Sequence, residues 1–275
     1  MAIIYNEKNK TFNLQTKNTS YIIGVIEDTV LLHLYYGKKI RAYNQDLYEI
    51  AVTRDAGAFC GSDFENNPHL RSEALAVEYP CYGHADLRTP AFHAEYENGS
   101  AITKLDYVDY RIFDGKKPIP GLPSTYAEND GEVQTLEITL RDALTGLEVI
   151  LSYSVFEDFD AIAKSVKIKN RTGQNVRLKS AISSITYVFD KRFEFVHLAG
   201  AWARERHIQR VPLTSGNISV DSKRVSSSHQ HSPFMALARP ETTENAGEVY
   251  GYSLVYSGNF IAQADVGAYD LTRLN

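Results

Sequence analysis

Leu136-Glu137-Ile138-Thr139-Leu140-Arg141 alternates apolar and polar side chains without a break. Successive residues of a strand point to opposite faces of its sheet. Leu136, Ile138 and Leu140 therefore share a buried side, and Glu137, Thr139 and Arg141 share a wet one. Val166-Lys167-Ile168-Lys169-Asn170 repeats the pattern, and Arg171-Thr172-Gly173-Gln174 supplies a turn into Val176-Arg177-Leu178-Lys179, which predicts a β-hairpin. Working outward, Val, Ile, Thr, Tyr and Phe dominate runs at 21–26, 30–36, 102–112, 147–156, 181–189, 234–238, 250–256 and 261–266, all predicted as strands. Helical signals are scarce: residues 68–77, with Leu70, Ala74, Leu75 and Val77, leave a short helix open. The reading is all-β. Without alternating strand–helix units, a doubly wound sheet or a complete (β/α)8 barrel is excluded within these residues.

The chain has 275 residues, 43% of them hydrophobic and 23% charged, enough for one large core or two modest ones. A formal charge of −5 and small, interrupted basic clusters such as Arg204, Arg206 and Arg210 argue against a nucleic-acid partner. No apolar run approaches the ~18 residues that cross a bilayer, since 22–34 is broken by Glu27, Asp28 and His33; no membrane partner is expected. Cys60 and Cys81 are too few for a disulfide scaffold and read as reduced thiols, which with the lack of a signal-peptide pattern gives a cytoplasmic expectation. Lys116-Lys117-Pro118-Ile119-Pro120-Gly121-Leu122-Pro123 reads as a stiff loop over a sheet rather than a domain boundary. An amphipathic segment that stops at Asn275 suggests an excised piece of a longer polypeptide.

Four segments carry a more specific signal. They are Glu78-Tyr79-Pro80-Cys81-Tyr82-Gly83-His84-Ala85-Asp86-Leu87-Arg88-Thr89-Pro90-Ala91, His197-Leu198-Ala199-Gly200-Ala201-Trp202-Ala203-Arg204-Glu205-Arg206, Ser226-Ser227-Ser228-His229-Gln230-His231-Ser232-Pro233-Phe234, and Glu248-Val249-Tyr250-Gly251-Tyr252-Ser253-Leu254-Val255-Tyr256-Ser257-Gly258-Asn259-Phe260. In order and spacing they resemble the amino-terminal region of glycoside hydrolase family 36, the microbial α-galactosidases. The resemblance runs from about Tyr5 to the end of the chain. It implies one large antiparallel β-supersandwich of the galactose-mutarotase-like kind over residues 1–275, with few short helices. It also implies that the two catalytic Asp residues of a retaining enzyme lie in a barrel beyond Asn275, so that this segment alone is inactive. The implied partners are terminal α-galactosides such as melibiose and raffinose, the chain's own barrel and further copies of itself, in a homotetramer. No cofactor is implied.

By the same resemblance, Asp55, in Thr53-Arg54-Asp55-Ala56-Gly57, is the substrate-binding candidate, on a loop that reaches a neighbouring pocket. A carboxylate suits sugar hydroxyls because ionised acceptors make short, strong hydrogen bonds. Pairing with Arg54 is the plainer alternative, and Asp63 is the runner-up. Asp86 and Arg88 read as structural members of their motif. Trp202, the only tryptophan, is either a sugar-stacking platform, a buried anchor between sheets, or a seal against the barrel. His229 and His231 share the spacing of one strand face, but no second cluster supports a metal there. Of the 34 acidic residues, none forms a recognisable glycosidase pair, and no nucleophile elbow, phosphate loop or dinucleotide fingerprint occurs.

Overall fold

The computed structural model of the chain describes residues 2–42, 64, 75–84, 88–267 and 270–275. Among these there are eighteen β-strands and only three-residue 3-10 turns, so the all-β expectation is met. The chain forms two compact units, Met1–Lys117 with Tyr126–Ile185 and Pro118–Thr125 with Thr186–Asn275.

The first unit opens with a four-stranded antiparallel meander, β1 (Ile3–Asn6), β2 (Thr11–Gln15), β3 (Thr19–Ile26) and β4 (Val30–Lys38). Tyr21-Ile22-Ile23-Gly24-Val25-Ile26 is buried on both faces, as its unbroken apolar run requires. One face packs Ile22, Ile26, Val30, Leu32 and Leu34 against Phe64, Leu75 and Val77. β5 (Phe92–Tyr96) follows, then the meander β6 (Asp106–Asp114), β7 (Val133–Arg141), β8 (Glu148–Phe156) and β9 (Ala161–Lys169). The alternation at Leu136–Arg141 is realised in β7, where Leu136, Ile138 and Leu140 are buried and Arg141 is exposed. Tyr5 of β1 and Phe12 of β2 meet Tyr110 of β6 at 4.6 and 4.8 Å between ring centres, which joins the two meanders. The β7–β8 turn is held by Asp142, whose carboxylate accepts hydrogen bonds from the backbone N–H groups of Lys104, Leu144 and Thr145.

The expected hairpin across Arg171–Gln174 does not form. β9 pairs with β8, whereas β10 (Val176–Ala181) pairs with β5. Asn170 explains the divergence: its side chain accepts from the Thr172 N–H and hydroxyl and donates to the Gln174 carbonyl. Such local bonds turn the chain without setting a two-strand register. The expected strand at 181–189 is also broken. Tyr79 and Lys164 donate to the carbonyls of Ile182 and Ile185, which removes them from any ladder. Of the short helix left open at 68–77, residues 68–74 lie outside the described residues, and Val77 makes an antiparallel bridge with Leu32 instead. The strand expected from 102 begins only at Asp106.

The second unit holds two four-stranded antiparallel sheets. One contains β11 (Thr186–Val188), β14 (Gly216–Ser222), β17 (Phe260–Val266) and β18 (Thr272–Leu274). The other is ordered β13 (Arg204–Pro212), β12 (Glu194–Ala201), β15 (His231–Ala238) and β16 (Val249–Ser253). Phe193, Phe195, Leu237, Phe260, Ala264 and Leu274 form the core between them.

Candidate functional site

Asp55, Asp63, Cys60 and Asp86 lie outside the described residues. What the structure does describe is the polar centre built by the motif that starts at Glu78, and the hairpin that carries Trp202.

Glu78 is 2% exposed, in an extended segment beside β4. Its carboxylate accepts from Tyr21 Oη at 2.6 and 2.8 Å, from Tyr153 Oη at 2.9 Å and from Lys164 Nζ at 3.2 Å, with His33 Nδ1 also at 3.2 Å. Lys164 additionally lies 4.1 Å above the Tyr21 ring. Burial pushes the Glu78 carboxyl up, but the Lys164 ammonium, then His33 and Tyr21, outweigh it and leave it lowered to about 2. Burial lowers the Lys164 ammonium more than Glu78 raises it. The cavity beside this centre, lined by Tyr79, Ser152, Ser165 and Ser184 among others, holds only about 10 Å³. That is room for one water at most. Glu78 is a carboxylate saturated by donors in a space no sugar can enter, so it locks four strands and its own loop together rather than working on a substrate.

Three residues on, Cys81 Sγ lies 3.2 Å from His84 Nδ1, and His84 Nε2 lies 3.8 Å from Asp106 Oδ1. The order thiol–imidazole–carboxylate is that of a nucleophilic triad. Cys81 is fully buried, however, and His84 is 2% exposed, so no substrate reaches the sulfur. Burial pulls the His84 imidazole down, yet Asp106 and Cys81 raise it to about 9, and the group reads as an internal brace. Arg88 is half-buried at the far end of the motif.

In the second unit, β12 and β13 are joined by the two residues Trp202-Ala203. Gly200 is required because a Cβ there would collide with the Arg204 carbonyl oxygen, and Ala203 takes a left-handed φ of 65°. This turn presents Trp202 at 84% exposure, which excludes the buried-anchor reading. All nine residues of β13 are exposed. His229 occupies an exposed turn, and His231 instead faces His197 of β12, with ring centres 6.0 Å apart. Sequence spacing paired His231 with the wrong partner because the strand register, not the tripeptide, brings imidazoles together. Among the described residues no group of three His, Cys, Asp or Glu is placed to hold a metal ion.

Residues 29–275 match the glycosyl hydrolase family 36 N-terminal domain. The chain belongs to this family. Alpha-galactosidase AgaA of Geobacillus stearothermophilus is 40% identical over the whole chain, and alpha-galactosidase Mel36A of Lactobacillus acidophilus is 37% identical over 94% of it. The crystal structure of the GH36 alpha-galactosidase AgaB from Geobacillus stearothermophilus superposes on the whole chain with a TM-score of 0.94 at 39% identity. An AgaA variant solved in complex with raffinose covers 96% of the chain with a TM-score of 0.91. This family 36 chain spans 37% of the length of AgaA, 35% of Mel36A and 37% of AgaB.

Proposed function

We propose that this chain serves as the non-catalytic amino-terminal domain of a retaining α-galactosidase that hydrolyses terminal α-galactosides of the melibiose and raffinose type. The observation that carries this reading is the full-length superposition on 37% of AgaB. The chemistry of the described residues agrees. A retaining glycosidase needs two carboxyls about 5 Å apart across the scissile bond, whereas the deeply buried Glu78 is committed to Tyr21, Tyr153 and Lys164. The domain's roles are to pack against a catalytic barrel, to support a homotetramer, and to offer Asp55 to the galactose hydroxyls of a pocket. The hydrolysis itself needs no metal or redox cofactor.

In the full-length enzyme, Asp55→Ala raises KM for a chromogenic α-galactoside at least tenfold and leaves the circular dichroism spectrum intact. An unchanged KM refutes the pocket role and leaves a purely structural domain. A second reading, a free-standing carbohydrate-binding sandwich, is favoured by one observation, the 84% exposure of Trp202. Calorimetric titration of raffinose into the 275-residue chain separates the two: the domain reading predicts no measurable heat, and the binding-module reading predicts saturation that Trp202→Ala abolishes.

A further inference from the structure

His197 lies on β12, and His231 opens β15, the antiparallel neighbour of β12. His231 stands opposite Ala199, two residues along β12 from His197. Their rings are 6.0 Å apart between centres and inclined at 48°. The Nδ1 atoms of both are enclosed, and neither has a hydrogen-bond partner among the described residues. Burial, and then His231, lower the basicity of His197. A neutral imidazole carries one N–H and one lone pair, and a metal takes the lone pair. Two half-enclosed imidazoles sharing one locality, with unpartnered nitrogens, have the donor chemistry of a transition-metal chelate.

We propose that His197 and His231 form a bis-imidazole site for a divalent cation of the zinc, nickel or copper class, with water completing the coordination. The geometry is close to what such an ion needs. An ion about 2 Å from each nitrogen sits about 3 Å from each ring centre, and a tetrahedral angle brings the centres to about 5 Å. From the observed 6.0 Å, ring rotation of the order of an ångström closes the chelate. Hard cations such as magnesium and calcium are excluded by the nitrogen-only donor set. His229 in the neighbouring turn and His207 on β13 are both exposed and serve as internal controls.

The test is calorimetric titration of Zn²⁺ alone into the metal-stripped 275-residue chain near pH 7.5. One ion binds per chain. His197→Gln and His231→Gln each weaken it at least tenfold, whereas His229→Gln and His207→Gln stay within about twofold. No heat at millimolar zinc overturns the proposal. Binding that survives both chelate variants, or that fails only in His229→Gln, overturns it equally. If the Gln variants do not fold, paramagnetic broadening by Cu²⁺ in the unaltered chain decides: selective loss of the His197 and His231 ring signals supports the site, and uniform or absent broadening refutes it.

Discussion

Lys164→Met removes the ammonium that faces Glu78 while keeping an apolar side chain of similar reach. Glu78 and Lys164 have side chains 2% and 12% exposed, so solvent screens the pair little. The Glu78 carboxyl is lowered from 4.5 to about 2. At about 1.4 kcal/mol per tenfold change in proton affinity, that displacement corresponds to about 3 kcal/mol of stabilisation. It agrees with the ~3–5 kcal/mol typical of breaking a buried pair and stranding one charge. In the unaltered chain this contribution is fully present above pH 4.5 and is lost as the pH falls toward about 2. In Lys164→Met, burial acts on Glu78 without the ammonium. The carboxyl then rises above its unfolded value, and stability from this group declines with rising pH instead. Urea unfolding followed by circular dichroism reads both effects. With a slope of about 2 kcal/mol/M, the midpoint at pH 7 drops by about 1.5 M. Glu78→Gln added to Lys164→Met restores part of the loss, since the stranded charge is gone. A variant within about 1 kcal/mol of the parent at pH 7, or one with the parent's acid slope, refutes the account of this centre.

Gly200→Ala forces a methyl into the Arg204 carbonyl and costs about 1–3 kcal/mol in chemical denaturation; an unchanged midpoint contradicts the close approach of the two strands. Asp142→Ala strands the backbone N–H groups of Lys104, Leu144 and Thr145 and lowers stability by about 1–3 kcal/mol, whereas a loss under about 0.5 kcal/mol contradicts the turn lock. Trp202→Ala leaves stability within about 0.5 kcal/mol because the ring is 84% exposed; a larger loss shows that the indole is packed. His84, raised from 6.5 to about 9, contributes stability that is complete below pH 6.5 and fades as the pH climbs through 9. His84→Gln flattens that limb of the pH–stability curve, and an unaltered alkaline slope argues against the brace.

How far the sequence reaches is visible residue by residue. Leu136–Arg141 declares its strand because each side chain meets one environment, and β7 follows it. Val166–Lys179 misleads because period-two alternation specifies a strand but not its partner, and β9 and β10 belong to different sheets. The segment 194–212 became a hairpin that alternation alone did not announce, since every residue of β13 is exposed and no apolar face repeats there. The family-like motif at Glu78 was legible as a unit, but its centre was not. Tyr21, His33, Tyr153 and Lys164 converge on Glu78 from positions up to 86 residues away. The signal available was a lone Glu in an otherwise apolar, aromatic run, which demands a partner once buried. The His197–His231 contact depends in the same way on register across two strands. For Asp55 the resemblance, not physical reasoning from composition or spacing, singles out the residue.

The division of labour is tested most directly by incubating the purified 275-residue chain with a chromogenic α-galactoside, beside the same chain continued through its downstream coding sequence. A scaffold domain gives no hydrolysis above a blank, and the continued polypeptide releases the chromophore. Clear turnover by the 275-residue chain alone, abolished by substituting one of its own carboxylates, contradicts the account.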